Sequence, residues 1–430
     1  MRVVFSFKIQ FPFEKLSYEQ IERISQKIQC LFTKFLFFNC IFQFTLYMSQ
    51  SILFTPKKLG KLTVPNRFMR SATWEALSDR DGRPPKELLQ MIEDLASNNV
   101  GLIIPGAVYV TRRGQGMVGE SGMTTLEHAR KWKPCIEKVH QHGSKLIFQL
   151  IHNGLDANPD LNGGYPASGP TSFNKNQHEL TNTEIEDLIQ NFADSAELAY
   201  RASADGAQIH GAHLYLLSSF LSPGLNHRTD KWGGSDENRL RIVKEIISAI
   251  RQRVPEDFSL SIKLNGDDYI EGGIKPELCA KYVDMLKDDL DFFEISAGSH
   301  HTILSTWNKN ILTRGIKDAK RKEDLIQFAK NFTQGQKFHE NYNLEALRVI
   351  RRKVPSANLA LVGGMRKLST MEKIVNDGDA DMISMSRPFL YEPDLVTKFK
   401  EGKSDHALCI SCGSCILDTS KGVYCHIIKK

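Results

Sequence analysis

From Phe68 onward the chain alternates between two hydrophobic patterns. Short, near-continuous apolar runs occupy residues 68–74, 101–110, 145–152, Gly206–Gly211, 259–264, 292–297, 359–363 and 381–386. Runs of this kind, rich in Val, Ile, Leu and Phe and flanked by Gly, Pro or Asp, read as strands buried on both faces. Between them lie amphipathic stretches with helical spacing, among them 86–98, 182–204, 238–254, Pro276–Leu286, 344–354 and 370–377. Eight strand–helix units over about 330 residues predict an α/β fold, a (β/α)8 TIM barrel, with a short cysteine-rich extension at its C-terminal end. A doubly wound sheet would need fewer strands and a GxGxxG turn after the first, which is absent. No internal repeat with a period of 20 to 50 residues is visible.

The first 47 residues break this pattern. They hold ten of the 24 phenylalanines, and residues 30–48 are mostly apolar, interrupted by Lys34, Asn39 and Gln43. A membrane span needs roughly 20 apolar residues, which this run barely supplies. A small-residue cleavage site for secretion is not evident. A dispensable extension or misplaced start is expected, with Met48 a natural beginning; an anchor or targeting segment stays open. The expected division is 1–47 extension, 48–400 barrel and 401–430 cysteine-rich tail.

Composition adds exclusions. The 430 residues carry a formal charge of +6 with no basic run of five or more, so nucleic acid is not indicated. Cys30, Cys40, Cys135 and Cys279 are scattered, as expected in a reducing, cytoplasmic setting rather than a disulfide framework. A membrane association is not expected, and homo-oligomerisation is left open.

The candidate chemistry concentrates in Gln208-Ile209-His210-Gly211-Ala212-His213-Leu214-Tyr215. His210 and His213 are spaced i, i+3, so a single turn would place both rings on one side. Two neutral imidazoles can donate N–H groups to one oxygen, and Tyr215 adds a weak acid. Such a set polarises and protonates a conjugated carbonyl; the bland reading is polar residues in a loop. Trp74, His152, His210, Lys263, Gly363 and Arg387 all fall at or just beyond the C-terminal ends of the strands, the face that carries chemistry in this fold. Arg228, Asp230 and Arg239, beside Gly233-Gly234, read as an ion-pair and turn network.

With the stretch that follows, Leu217-Ser218-Ser219-Phe220-Leu221-Ser222-Pro223 and Asn226-His227-Arg228-Thr229-Asp230-Lys231-Trp232-Gly233-Gly234-Ser235, then Glu237-Asn238-Arg239, this block resembles the old yellow enzyme family of FMN-dependent NADH:flavin oxidoreductases and ene-reductases. The resemblance covers residues 54 to about 400 and, loosely, the tail. It implies FMN as cofactor, NADH or NADPH as electron donor, and a small enone-type substrate reduced at its activated alkene. It implies His210 and His213 as holders of the carbonyl oxygen and Tyr215 as proton donor. Gln149 would bond the flavin pyrimidine edge, its amide offering both a donor and an acceptor. Ala72 and Thr73 would line the ring, and Ala107 would leave room for it. Lys263 would stabilise the negative charge of reduced flavin; its structural alternative is pairing with Asp267 or Asp268. Gly363, Gly364, Ser386 and Arg387 would grip the phosphate. Trp74 falls where relatives carry a redox-tuning Cys or Thr, which puts flavin potential and substrate room in question.

Cys409, Cys412, Cys415 and Cys425 form a C-x2-C-x2-C set plus a fourth thiol, suited to a [4Fe–4S] cluster or to zinc, with unliganded thiols a third reading. The segment resembles that following the barrel in trimethylamine dehydrogenase and dienoyl-CoA reductase relatives. The chain ending at Lys430 argues against an electron relay to a second flavoprotein domain. Two further readings stay open: a non-enzymatic metal- or flavin-binding barrel, and a flavin-free lyase using Lys263 as a Schiff-base former.

Overall fold

The computed structural model describes residues 51–299, 339–416 and 419–425, together with Lys320 and Glu323. The expectation for residues 1–47 lies outside the described residues. Eight strands run parallel: β1 (Phe68–Arg70), β2 (Leu102–Ile103), β3 (Lys145–Ile151), β4 (Gly206–Gly211), β5 (Ser259–Asn265), β6 (Phe292–Ser296), β7 (Leu359–Val362) and β8 (Met382–Met385). Each pairs with the next, β8 pairs with β1 and β3 with β4, so the sheet closes on itself. Closure leaves the eight barrel strands without an edge and buries nearly every residue in them, which is why the runs read as continuously apolar.

The outer ring is α1 (Lys86–Ser97), α2 (Leu126–Gln141), α3 (Asn182–Arg201), α4 (Asp236–Arg251), α5 (Pro276–Leu286), α6 (Leu344–Lys353), α7 (Leu368–Asn376) and α8 (Leu395–Lys400). Their starts follow capping chemistry. Thr181 and Glu184 form a reciprocal capping box at α3, and the Ser235 hydroxyl accepts from Asn238 N at α4. The fold is the (β/α)8 barrel that the hydrophobic pattern predicts.

Two elements differ from the expectation. The apolar run 101–110 is not one strand: β2 stops at Ile103, and Val108–Tyr109 pairs separately with the end of β3. Pro105 lacks the N–H a ladder needs, so the run breaks there. Helix α2 escapes the pattern because Pro134 sits inside it and charged residues dilute its stripe of Trp132, Ile136 and Val139.

An antiparallel hairpin, Lys57–Leu59 with Leu62–Val64, packs against the N-terminal end of the barrel. Leu59, Leu62 and Val64 join Met69, Leu102, Ile147, Phe292 and Met382 in one buried cluster. Each such side chain contributes roughly 1.5–3 kcal/mol when fully buried. That end is therefore sealed, and the open end is the C-terminal face.

Candidate active site

A cavity of about 660 Å³ opens at the C-terminal face, within the roughly 300–1,000 Å³ range of small-molecule sites. Ala72, Thr73, Ala107, Gln149, His210, His213, Tyr215, Lys263, Gly363, Gly364, Ser386 and Arg387 all line it. Trp74 lines it too, its indole N–H donating to the Val118 carbonyl at 3.0 Å. His152 is buried but not part of the wall; its Nδ1 accepts from Gly154 N at 3.0 Å, and burial pushes its pKa down to about 4.

The imidazole pair is gathered, but not by a helical turn. His210 lies within β4, and the chain then passes through two consecutive left-handed residues, His213 (φ 63°) and Leu214 (φ 61°). Non-glycine residues pay about 1–3 kcal/mol each for that conformation, a cost that clusters at functional sites. The turn is held from outside: His213 N donates to Asn265 Oδ1 at 3.1 Å, and its Nε2 lies 2.7 Å from Ser296 Oγ. The ring centroids of His210 and His213 are 5.1 Å apart, with Tyr215 at 5.2 Å and 6.4 Å from them. Ala212 N donates to His210 Nδ1 at 3.3 Å, which leaves the proton of the neutral ring on Nε2 as a donor. Burial, then the nearby His213 and Lys263, hold His210 well below the ordinary imidazole range, so the ring is neutral at pH 7. Burial likewise pushes the Tyr215 phenol up.

Beneath the cavity lies a polar layer that the sequence reading missed. Lys263 does not pair with Asp267 or Asp268. Lys275 takes Asp267, while Asp268 accepts from Ser222 and Asn265. Lys263 Nζ lies 3.3 Å from Glu294 and donates to Ser71 Oγ at 2.9 Å. Glu294 also accepts from Ser71 (2.7 Å), Ser384 (2.8 Å) and Gln208 (3.1 Å). Gln208 Oε1 in turn accepts from Gln149 Nε2 at 2.6 Å. The available signal was a polar residue inside an otherwise apolar strand: Gln208 within Ala207-Gln208-Ile209 and Glu294 within Phe293-Glu294-Ile295.

On the opposite wall, Gly363 and Gly364 follow β7 with φ 126° and 68°. Successive backbones of this kind turn N–H groups toward an anion. Thr73 Oγ1 and Ser386 Oγ lie 2.7 Å apart, joining the ends of β1 and β8. Arg228 and Asp230 form a two-bond pair (3.0 and 2.6 Å) and Arg239 pairs with Asp236, all away from the cavity, in the structural role expected of them.

Among the four tail cysteines, Cys415 lines the cavity, Cys412 is buried, and Cys409 and Cys425 are half-buried. Among the described residues, no set of three or more His, Cys, Asp or Glu side chains is arranged to hold a metal ion. The donors suit iron–sulfur or zinc in kind, and burial pushes the Cys415 thiol up, with Cys409, Cys412 and Cys425 close enough to add to that shift. The tail is nonetheless stitched to the barrel: Ala407 N donates to Arg366 O, Leu408 N to Glu392, and Val423 N to Glu75 O.

A flavin mononucleotide fits these residues. A cation and an amide stand on the floor, small residues on one wall, and a glycine pair with an arginine on the other. A closed parallel barrel with such a mouth defines the class of FMN-binding (β/α)8 proteins. The chain belongs to the NADH:flavin oxidoreductase / NADH oxidase family, whose model matches residues 52–406. It is 30% identical over 368 residues to an NADH oxidase of Thermoanaerobacter brockii, covering 84% of this chain and 52% of that protein. A 2-naphthoyl-CoA reductase solved with 2-naphthoyl-CoA superposes with a TM-score of 0.72 at 26% identity, over 85% of this chain and 54% of the other. The old yellow enzyme homologue of Zymomonas mobilis gives 0.66 at 24% identity, over 84% and 95%, and shares the fold. The chain spans about half the length of the first two. The resemblance to old yellow enzymes therefore stands. No helix among the described residues is long and apolar enough to cross a membrane.

Proposed function

We propose that this chain is an NAD(P)H-dependent oxidoreductase that reduces an activated alkene, such as that of an α,β-unsaturated carbonyl. Bound FMN would supply the hydride chemistry, accepting from NADH or NADPH and delivering to the alkene. The observation that carries this reading is the convergence of His210, His213 and Tyr215 on one cavity wall.

His210, held neutral with its Nε2–H free of the backbone bond made by Nδ1, donates to the substrate carbonyl oxygen. His213 stands beside it as the second grip, its ring fixed by Ser296. Oxyanion donors of this kind are worth roughly 3–4 kcal/mol each, because their dipoles are already oriented when charge develops. Tyr215 keeps its proton at neutral pH and would deliver it to the substrate carbon. Gln149, Ala72, Thr73, Ala107 and Lys263 would hold the flavin ring, and Gly363, Gly364, Ser386 and Arg387 its phosphate. The nicotinamide name of the NADH oxidase and the conjugated thioester ligand of the naphthoyl-CoA reductase support both half-reactions. Cys409, Cys412, Cys415 and Cys425 are assigned to a metal or cluster only as donors of the right chemistry, and nothing in the hydride route depends on them.

The test separates the half-reactions. Anaerobic mixing of the yellow protein with NADH or NADPH, then with cyclohexenone, is measured in wild type and in the double variant His210→Ala, His213→Ala. Loss of two donors slows alkene reduction by roughly 10³-fold or more while reduction by nicotinamide changes only a few-fold. Equal losses in both steps give the pair a structural duty. A wild type that stays colourless after FMN reconstitution removes the reading and favours a barrel scaffold without this activity.

A further inference from the structure

The polar layer under the cavity is built from two registered pairs. Gln149 on β3 stands opposite Gln208 on β4, and Lys263 on β5 stands opposite Glu294 on β6. The bond from Gln208 Nε2 to Glu294 Oε2 joins the pairs across the barrel interior. Glu294 is fully buried and is not part of the cavity wall, whereas Gln149 and Lys263 are.

An ionised carboxylate only accepts hydrogen bonds, with about four lone-pair positions. Here Oε1 takes the Ser71 and Ser384 hydroxyls, and Oε2 faces Gln208 Nε2 and Lys263 Nζ. That polarity propagates. Gln208 must turn its amide nitrogen toward Glu294, which turns its oxygen toward Gln149. Gln149 must then offer its nitrogen to Gln208. One buried carboxylate thus decides which way two amides face, an orientation that only a network can decide. The same carboxylate shares the charge of Lys263, so the cavity floor presents a half-compensated cation rather than a free one.

We propose that Glu294 is a positioning residue that sets the affinity and reduction potential of the flavin from below the cavity floor, through the amide of Gln149 and the ammonium of Lys263. The inference rests on the FMN reading above. Among the described residues, Lys263 is the charged partner of Glu294, and its other partners Ser71, Ser384 and Gln208 are neutral.

FMN is titrated into apo-protein and followed by flavin fluorescence, and the midpoint potential of the bound flavin is measured, in wild type, Glu294→Gln and Gln208→Met. Glu294→Gln is expected to raise the FMN dissociation constant at least tenfold and to shift the potential to more positive values, because Lys263 is no longer offset. Gln208→Met cuts the amide relay but leaves the ion pair; it is expected to weaken FMN binding with the potential unmoved. Wild-type affinity and potential in Glu294→Gln overturn the inference, as does a shift to more negative values. If Glu294→Gln does not fold, wild-type FMN affinity in Gln208→Met overturns it. A wild type that binds no FMN overturns instead the functional reading.

Discussion

Glu120 shows how one buried group ties the site to pH. Its carboxylate accepts from Gly116 N (2.9 Å), Met117 N (3.2 Å) and Asn153 Nδ2 (2.8 Å), and so clamps the loop that carries Gly116 and Met117 into the cavity wall. Burial outweighs these bonds and pushes its pKa from 4.5 up to about 7. Between those values the folded protein holds a proton that the unfolded chain has lost. Stability is then fully present below pH 4.5, falls as pH rises toward 7, and levels off beyond, with a ceiling of about 3 kcal/mol. His152 and His210 run the other way, since their depressed values cost stability as pH falls below the ordinary imidazole range. Glu120→Gln isolates the first effect. Whatever constant offset its altered bonds introduce, its stability relative to wild type should improve as pH is raised from 4.5 to 8. Urea unfolding at three pH values reads this, and a gap that ignores pH means that Glu120 ionises like a surface carboxylate.

At the scale of elements, the decisive piece is the loop after β7. Gly363 has φ 126°, and a Cβ there would meet Tyr342 Cε2 at 2.7 Å and Asn343 Nδ2 at 2.8 Å. That Asn343 amide already donates to Val362 O at 2.7 Å, so it has little room to yield. Gly363→Ala therefore forces the loop to shift, at about 1–3 kcal/mol. FMN affinity should fall tenfold or more, measured by fluorescence quenching, with the helical far-UV spectrum unchanged. An alanine variant that binds FMN as wild type does would place the phosphate elsewhere. Most of this architecture was legible in sequence, because strands buried on both faces announce themselves as apolar runs. The break at Pro105 and the helix around Pro134 were not, since a proline reads the same whether it ends an element or is absorbed by one. The partner of Lys263 was hidden for a different reason. Asp267 and Asp268 are near in sequence, but β6 brings Glu294 alongside from 31 residues away, a separation on which local spacing says nothing. The spacing of His210 and His213 pointed to the right neighbourhood through the wrong geometry, a left-handed turn standing where a helical one was expected.

For the whole molecule, the cavity is a meeting place of β3, β4, β5, β6, β7 and β8 and the residues just after β1 with the tail residues Ser411, Gly413 and Cys415. No unfolded chain can assemble it, so a ligand that fills it stabilises only the folded state. The gain is RT ln(1 + [L]/Kd), about 2.7 kcal/mol at a hundredfold excess over Kd. The two ends of the cavity should contribute separately, the floor to the ring and the Gly363–Arg387 wall to the phosphate. Riboflavin keeps the ring and lacks the phosphate. Losing one or more charge-assisted bonds of roughly 1.5–3 kcal/mol each should weaken it by about tenfold or more relative to FMN. Thermal unfolding at matched concentrations should rank FMN above riboflavin in wild type, and Arg387→Met should bring the two together by lowering FMN alone. Equal stabilisation by both ligands in wild type would show that no phosphate is gripped at this wall. The barrel would then hold a flavin by its ring only, and the loops after β7 and β8 would need another purpose.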